Sequence, residues 1–244
     1  MHASTDWMDD TMFRIRPALP GSRFRRVPVL TLYATAMLIG IGSGGSRADV
    51  QAGAELAQKG GGGGILACMT CHGPRGEGQA AAGFPRLAGQ PKAYIEKQLK
   101  EFASGQRSSP QMAPIAKNLK PAQISDLADY YASLPEWQPG AAPEARSDAY
   151  ALGKKLATRG KWDAGMPACF SCHGAGGTGI PPHFPALAGQ PRAYTESQLK
   201  AWQASARHND PQGLMKSVAN KLTASDIAAV SVYLETPSDT GKDK

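Results

Sequence analysis

Two short stretches decide the fold of this chain: CMTCHG at residues 68–73 and CFSCHG at residues 169–174. Together they contain all four cysteines of the 244 residues. In each stretch two cysteines are separated by two residues, and a histidine follows directly. Cys-x-x-Cys-His is the attachment sequence for c-type haem. The sequence therefore predicts two covalently bound haem c groups and their iron atoms.

The spacing of the motif suits this chemistry. Two thiols add across the vinyl groups on one edge of the porphyrin, and the adjacent imidazole is then carried beneath the iron. A zinc site would need two cysteine pairs that converge from closely spaced segments, whereas these lie about 100 residues apart. A redox dithiol needs no histidine and belongs in a βαβ context. The predicted thioether residues are Cys68, Cys71, Cys169 and Cys172, and the predicted proximal ligands are His72 and His173.

The sequence around the motifs is also duplicated. FPRLAGQPKAY at 84–94 recurs as FPALAGQPRAY at 184–194, and further matches continue to the end of each copy. The offset between the copies changes from 101 to 100 to 103 residues, which places small insertions in loops. Internal similarity of this kind indicates two homologous domains. We predict a first domain over 49–134 and a second over 146–237.

The remaining segments are predicted to connect or extend these domains. Residues 135–145 are rich in proline and lack apolar periodicity, which is typical of a semi-extended linker. Residues 238–244 are a C-terminal tail.

Residues 1–48 have the pattern of a secretory signal peptide. Five arginines precede the apolar run 27–41, and small residues lead to a predicted cleavage after Ala48. Cleavage there places the protein in the periplasm. The alternative is an uncleaved segment that tethers the protein to the periplasmic side of the membrane, since the run is only slightly short for a bilayer span.

Composition excludes several classes of protein. With 41% hydrophobic and 19% charged residues the chain can form a core. The net charge is +7, and removal of residues 1–48 leaves 21 basic and 17 acidic residues, or +4. Nucleic-acid binding proteins usually show a concentrated basic stripe, so nucleic acid is not an expected partner.

Helical signals recur in both copies. Pro91 and Pro191 are predicted to be first helical residues, where a missing N–H costs nothing. Thr223 and Asp226 form a capping-box pattern before the last helix, and Pro121 lies near the same point of the first copy. No long alternation of period two indicates a sheet. The predicted fold is all-α, with two tandem domains, each made of a few helices around a haem.

One methionine in each copy is the predicted sixth ligand of the iron. Met112 lies 40 residues after His72, and Met215 lies 42 residues after His173. Both are predicted to lie in a loop between two helices. A thioether ligand stabilises ferrous iron. His208 is the rival of Met215.

Further residues are predicted to support the haem. The carbonyls of Pro85 and Pro185 can accept the imidazole Nδ1–H, although turn prolines are an equally good interpretation. Hydrogen bonds to haem propionates are predicted for five side chains, with a solvated helix end as the alternative for the two arginines. These side chains are Tyr94, Tyr194, Trp202, Arg107 and Arg207.

These motifs resemble those of dihaem class I cytochromes c of the cytochrome c4 type, over residues 49–237. The resemblance rests on the paired CxxCHG motifs, the repeated FPxLAGQPxAY segment, the downstream methionines and the tyrosine-bearing last helices. It implies two tandem cytochrome c domains with His/Met-ligated haems, in a periplasmic electron carrier that is sometimes associated with a membrane. It also implies that Gly53 and Gly153 allow the first helix of each domain to cross the last closely, near Tyr130 and Tyr233.

The leading functional prediction is a one-electron carrier of a respiratory chain. Six-coordinate iron leaves no position for a substrate, so no enzyme activity is expected. The alternative is a dihaem electron-transfer subunit of a periplasmic dehydrogenase complex, and a dihaem peroxidase is opposed by the matching methionines. Predicted partners are a donor complex and a terminal oxidase or reductase, and the sequence leaves the oligomeric state open. Docking lysines are predicted among Lys92, Lys97, Lys100, Lys200 and Lys216.

Overall fold

The computed structural model describes residues 47–136 and 147–236. Apart from its last two positions, the predicted signal peptide lies outside these ranges. Most of the predicted linker at 135–145 and the whole tail at 238–244 also lie outside them. Within the described ranges, no helix is both long and apolar enough to cross a membrane.

The described residues form ten α-helices, five in each copy of the repeat, and no strand is present in these ranges. The prediction of an all-α fold is confirmed. The first copy has α1 (Arg47–Lys59), α2 (Met69–His72), α3 (Lys92–Ser104), α4 (Met112–Ala116) and α5 (Pro121–Ser133). The second copy has α6 (Asp148–Arg159), α7 (Cys169–His173), α8 (Arg192–Gln203), α9 (Leu214–Ala219) and α10 (Ala224–Glu235).

In each domain the first helix crosses the last one at a glycine. A Cβ atom built on Gly53 of α1 would lie 2.0 Å from the carbonyl oxygen of Asp126 in α5. A Cβ atom on Gly153 of α6 would lie 2.1 Å from the carbonyl oxygen of Ala229 in α10. No side chain fits such spaces, so glycine allows direct contact between the two helix backbones. The crossing implied by the resemblance is confirmed.

Aromatic residues fill the core beside each crossing. In the second domain the ring of Tyr233 lies 5.2 Å from that of Tyr150 and 6.1 Å from that of Phe170. In the first domain Tyr130 and Tyr131 are adjacent on α5, with their rings 5.0 Å apart. Aromatic pairs at these separations add to the stabilisation from burial alone.

Helix starts follow the sequence signals closely. Thr223 Oγ1 accepts a hydrogen bond from the Asp226 N–H, and the Asp226 carboxylate accepts one from the Thr223 N–H, which completes the predicted capping box. Pro121 is the first residue of α5. Pro91 and Pro191 differ by one residue from the prediction. Their ψ values of 131° and 133° are extended, so each precedes its helix rather than opening it.

The two domains contact each other through a reciprocal pair of glutamines. Gln90 of the first domain donates to the carbonyl of Ala186 over 2.8 Å and accepts from the Ala186 N–H over 3.0 Å. Gln190 of the second domain makes the same two bonds to the backbone of Arg86, over 2.9 and 3.1 Å. Both glutamines are buried. The interface is therefore pseudo-symmetric, like that of a homodimer.

Candidate functional site

Each Cys-x-x-Cys-His motif forms a single helical turn that ends at a glycine. The His72 N–H donates to the carbonyl of Cys68 over 2.9 Å, which brings the histidine and the first cysteine one turn apart. The residue after the histidine is Gly73 in α2 and Gly174 in α7, with φ of +83° and +80°. This backbone conformation favours glycine. The chain can then leave the helix directly after the histidine.

Both motif histidines are held by a proline carbonyl. Nδ1 of His72 lies 2.8 Å from the oxygen of Pro85, and Nδ1 of His173 lies 2.8 Å from the oxygen of Pro185. Each histidine is 6% exposed. Burial lowers the pKa of both imidazoles, although the proline carbonyls partly oppose this effect. Each ring is therefore neutral near pH 7, and only Nε2 can coordinate a metal.

None of the four cysteines forms a disulfide, which leaves all four sulfurs available for covalent attachment of an organic group. Burial raises the pKa of Cys169 to about 11 and also raises the pKa of Cys68. Such thiols remain protonated near pH 7, in contrast to the lowered pKa values of redox-active or metal-binding cysteines. In the described ranges no cluster of three or more histidine, cysteine or acidic side chains could hold a metal ion by itself. This donor set fits a porphyrin better than a bare ion.

The two sites differ in the residue that covers the motif. In the first domain the Tyr131 ring would lie 2.7 Å from a Cβ atom built on Gly76. In the second domain the ring of Phe170 takes the same place against Gly177, at 2.6 Å. One site therefore contains a hydroxyl group that the other lacks.

The two predicted methionine ligands lie in short helices, and the prediction of a loop is wrong for both. Met112 is the first residue of α4, and Met215 is the second residue of α9. Their N–H groups donate to the side chains of Ser109 and Asp210, over 3.1 and 2.6 Å. These polar side chains satisfy the first N–H groups, so helices can begin there. Met215 packs against the core, whereas its rival His208 is exposed.

Arg107 and Arg207 meet at the domain interface. Arg107 is only 6% exposed, so the alternative of a solvated helix end is wrong for this residue. Arg107 donates to the hydroxyl of Tyr194 over 2.9 Å and to Gln198 over 2.7 Å. Arg207 reaches back to the hydroxyl of Tyr94 over 3.5 Å. Neither guanidinium has a carboxylate within ion-pair distance among the described residues. The centre of the interface is therefore positively charged.

Aromatic rings support this interfacial charge. The guanidinium of Arg107 lies 4.6 Å from the centre of the Phe102 ring, and that of Arg207 lies 4.6 Å from the Trp202 ring. Both distances allow cation–π attraction. Burial by itself would raise the pKa of Tyr194, but the facing arginines outweigh it and the pKa lies below its ordinary value. The interface is thus suited to buried anionic groups.

Sequence reasoning missed the glutamines that organise this interface. Gln90 and Gln190 bind the opposite domain as described above, while Gln98 and Gln198 accept hydrogen bonds from the arginines. All four lie in segments that are identical in the two copies. A polar residue retained in both copies was the available signal, but it could not reveal contact between the domains.

These features are matched by known proteins. The family model for cytochrome c matches residues 50–135 and again residues 150–238. A thiosulfate dehydrogenase electron acceptor of Thiomonas intermedia is 47% identical over 168 residues, which are 68% of this chain and 76% of that protein. Reduced recombinant cytochrome c4 from Pseudomonas stutzeri superimposes with a TM-score of 0.65 at 36% identity, over 75% of this chain and 97% of that one.

A third similarity is to a larger protein. Thiosulfate dehydrogenase (TsdBA) from Marichromatium purpuratum superimposes with a TM-score of 0.71 at 42% identity. The match covers 77% of this chain but only 40% of that chain.

Two helical domains, each with a buried Cys-x-x-Cys-His turn, define a two-domain c-type cytochrome. The chain belongs to the cytochrome c family, as a dihaem member of the cytochrome c4 type. It carries two covalently bound haem c groups and functions as an electron carrier.

Proposed function

We propose that each domain holds its haem with four of its own residues. Two cysteine sulfurs would form the thioethers, and one imidazole and one methionine would be the protein ligands of the iron. The occupied Nδ1 of each histidine supports this assignment because only Nε2 is left to coordinate. The first set is Cys68, Cys71, His72 and Met112, and the second set is Cys169, Cys172, His173 and Met215.

The arginines at the domain interface would hold the haem propionates. Arg107 is buried and Arg207 is half-buried, and both bring positive charge to the interface, where no described carboxylate pairs with them. Buried carboxylates need such partners. The hydroxyls of Tyr94 and Tyr194 supply further donors, and Trp202 fixes the position of Arg207.

The chain's residues determine how the haem works as a carrier. When bound, a c-type haem would supply one-electron redox chemistry. Pro85 and Pro185 hold the imidazole rings in fixed orientations, so these histidines need little reorganisation. A methionine as the second protein ligand would leave no position for a substrate and would favour the reduced state.

The cellular setting follows from the N-terminal sequence. Residues 1–48 direct the chain to the periplasm, with cleavage after Ala48. N-terminal sequencing of protein from a periplasmic fraction should begin at Asp49. A chain that begins at Met1 and sediments with membranes would favour the tethered alternative.

In this setting the protein accepts electrons from a thiosulfate dehydrogenase and passes them to a terminal oxidase or reductase. The observation that carries this proposal is the 47% identity to the thiosulfate dehydrogenase electron acceptor of Thiomonas intermedia. A second relative with the same description, from Stutzerimonas stutzeri, is 43% identical over 169 residues.

A stopped-flow experiment tests the proposal. The oxidised cytochrome is mixed with a purified thiosulfate dehydrogenase and thiosulfate, and reduction is followed by visible absorption. We expect two electrons to be taken up per chain, with no reduction when either the enzyme or thiosulfate is omitted. A cytochrome that stays oxidised in the complete mixture would contradict the proposed donor.

A second candidate is a stable subunit of a dehydrogenase complex, since the similar TsdBA chain is much longer than this one. Gel filtration of the mixture separates the two possibilities. A transient carrier elutes apart from the enzyme, whereas a subunit elutes with it.

A further inference from the structure

An exposed tryptophan marks one face of the second domain. Trp162 is 71% exposed, more than any other large hydrophobic residue in the described ranges. It lies in a six-residue loop closed by two hydrogen bonds between the backbones of Lys161 and Met166, over 2.8 and 3.0 Å. Met166 is fully buried. The loop is therefore fixed at its base, and it presents the indole ring to solvent.

A stripe of residues along α6 leads to this tryptophan. Leu152, Lys155 and Arg159 are exposed and have the spacing of one helical face. Arg159 is three residues before Trp162, so their Cα atoms are at most about 11 Å apart. On the other side of the loop, Lys221 Nζ donates to the carbonyl of Gly165 over 2.5 Å. We call Leu152, Lys155, Arg159, Trp162 and Lys221 the tryptophan patch.

The tryptophan patch is positively charged. Lys155 and Arg159 have no ion pair with any residue of the described ranges, and Lys221 bonds only to a neutral carbonyl there. Asp163, which is exposed beside the tryptophan, is the single acidic residue within the loop. Lys161 is neutralised by Asp226 over 3.0 Å. The tryptophan patch thus carries three cations, and the loop that holds its indole ring adds one anion.

The first domain provides an internal comparison, because it has the same fold without this patch. Its equivalent positions carry no large apolar side chain and no net charge. The first domain, 49–134, has nine basic and seven acidic residues, whereas the described part of the second, 147–236, has nine and six. The residues equivalent to Leu152, Lys155, Arg159, Trp162 and Lys221 are Ala52, Glu55, Lys59, Gly62 and Asn118.

The lysines expected to dock partners are mostly neutralised. Lys92 pairs with Asp129 over 2.7 Å, and Lys97 pairs with Glu101. Lys100 and Lys200 each pair with a glutamate one helical turn away. Of the five, Lys216 has no ion pair with a described residue, and it too belongs to the second domain. The predicted docking lysines therefore offer a partner little unpaired charge, in contrast to the tryptophan patch.

We propose that the tryptophan patch docks a redox partner protein whose contact face is acidic around an apolar recess. This inference rests on the proposed function as an electron carrier. Tryptophan and arginine are the residues that most often dominate binding at protein interfaces, and complementary charge accelerates the encounter. The buried face of the same helix carries Leu156, whose carbonyl lies 3.9 Å from Sγ of Cys169. A partner on the patch is therefore about one helix diameter, roughly 10 Å, from the second attachment motif.

Rate measurements with two partner proteins test this proposal. Second-order rate constants are measured for reduction by a thiosulfate dehydrogenase and for oxidation by a terminal oxidase, at low and high salt. Trp162→Ala should lower at least one of them about tenfold. Lys155→Glu should lower the same rate severalfold at low salt and weaken its salt dependence. Visible spectra and midpoint potentials should stay unchanged, which shows that the haem sites are intact.

Matched variants locate the effect. Leu66→Ala removes an exposed apolar residue beside the equivalent loop of the first domain, where Leu66 is 64% exposed. Leu214→Ala removes another, 50% exposed, from the second domain. Neither should change the rates. An equal loss in either control, or no loss in Trp162→Ala, would overturn the proposal.

Other occupants of the patch give different results, each of which would overturn the proposal. A membrane surface would retain the wild type, but not Trp162→Ala, on phosphatidylglycerol vesicles while both protein rates stay unchanged. A second copy of the chain would give a dimer that Trp162→Ala dissociates.

If the dehydrogenase fails to reduce the wild type while oxidation by the oxidase depends on Trp162, the proposed donor is wrong and the proposal for the tryptophan patch stands. If the wild type reacts with neither protein, both proposals fall.

Discussion

Gln90 and Gln190 reach across the domain boundary in opposite directions, and each pairs with both the N–H and the carbonyl of one residue in the other domain. The four bonds are 2.8 to 3.1 Å long and lie in the buried part of the interface. Because each glutamine satisfies two backbone groups that have lost access to water, the pair fixes the register of one domain on the other. The arginine network lies in the same interface.

Replacement of either glutamine by alanine should lower the free energy of unfolding of the two-domain protein. Gln90→Ala leaves the N–H and the carbonyl of Ala186 without partners, which should cost about 2–6 kcal/mol at about 1–3 kcal/mol for each group. Gln190→Ala should cost a similar amount, and the double variant should lose less than the sum because both residues hold one interface. Denaturant unfolding measures these losses. Gln58→Ala, at an exposed position of α1, is the control and should unfold like the wild type.

The helix crossings should not tolerate a methyl group. Gly53→Ala would place a Cβ atom against the Asp126 carbonyl, so α1 and α5 must separate, and we expect a loss of about 3 kcal/mol or more in the free energy of unfolding. Gly153→Ala should act in the same way on the second domain. Gly62→Ala is the matched control. Nothing lies within 4 Å of the added atom, and φ is not left-handed, so a gain of about 0.5 kcal/mol is expected. Equal stability of Gly53→Ala and Gly62→Ala would contradict the crossing.

Acid should weaken the start of α10 selectively. Burial by itself would raise the pKa of Asp226, but bonds from Thr223 and the charge of Lys161 outweigh it, so the pKa is lowered. A lowered pKa means that the carboxylate stabilises the fold above its unfolded pKa, about 3.9, and that this contribution is lost as the pH falls through the folded value. Asp226→Asn should therefore cost about 1 kcal/mol at pH 7 and little at the lowest pH where the fold persists.

The first domain provides a natural comparison for this pH effect. There the corresponding bond to the helix start comes from Gln123, whose side chain accepts from the Lys120 N–H over 2.9 Å and does not titrate. Gln123→Ala should therefore cost the same at every pH. A stability difference between Asp226→Asn and wild type that is independent of pH would contradict the assigned role of the carboxylate.

Each methionine ligand should be visible separately. Met112→Ala and Met215→Ala should each remove about half of the weak red absorption band that reports sulfur–iron bonding in the oxidised protein. Met69→Leu is the control, since the second copy has Phe170 at that position. If the band persists in Met112→Ala, the assignment of that ligand is wrong.

Features encoded within one domain could be predicted from sequence. The Cys-x-x-Cys-His motifs, the capping box at Thr223 and Asp226, and the close crossing at Gly53 depend on local spacing or on one pair of helices. The helical position of Met112 was missed because its start depends on the Ser109 side chain, which accepts the first N–H. A sequence with Pro110 and Pro114 on either side of that methionine favours a loop by ordinary rules.

Features that depend on contact between the domains could not be predicted. Arg107 near a helix end is a typical exposed residue, and only the packing of the second copy buries it. Trp162 shows the opposite case. A tryptophan is normally assigned to a core, yet the loop closed by Lys161 and Met166 directs it to solvent. In both cases the environment is determined by residues distant in sequence.

A redox titration followed by visible spectra measures directly whether both domains hold a His/Met-ligated haem. We expect each chain to take up two electrons, in one-electron steps, and both haems to show the spectrum of six-coordinate iron with a sulfur ligand in the oxidised state. Uptake of a single electron per chain, or a haem whose spectrum shows an open coordination position, would contradict a two-haem carrier with His/Met ligation in both domains.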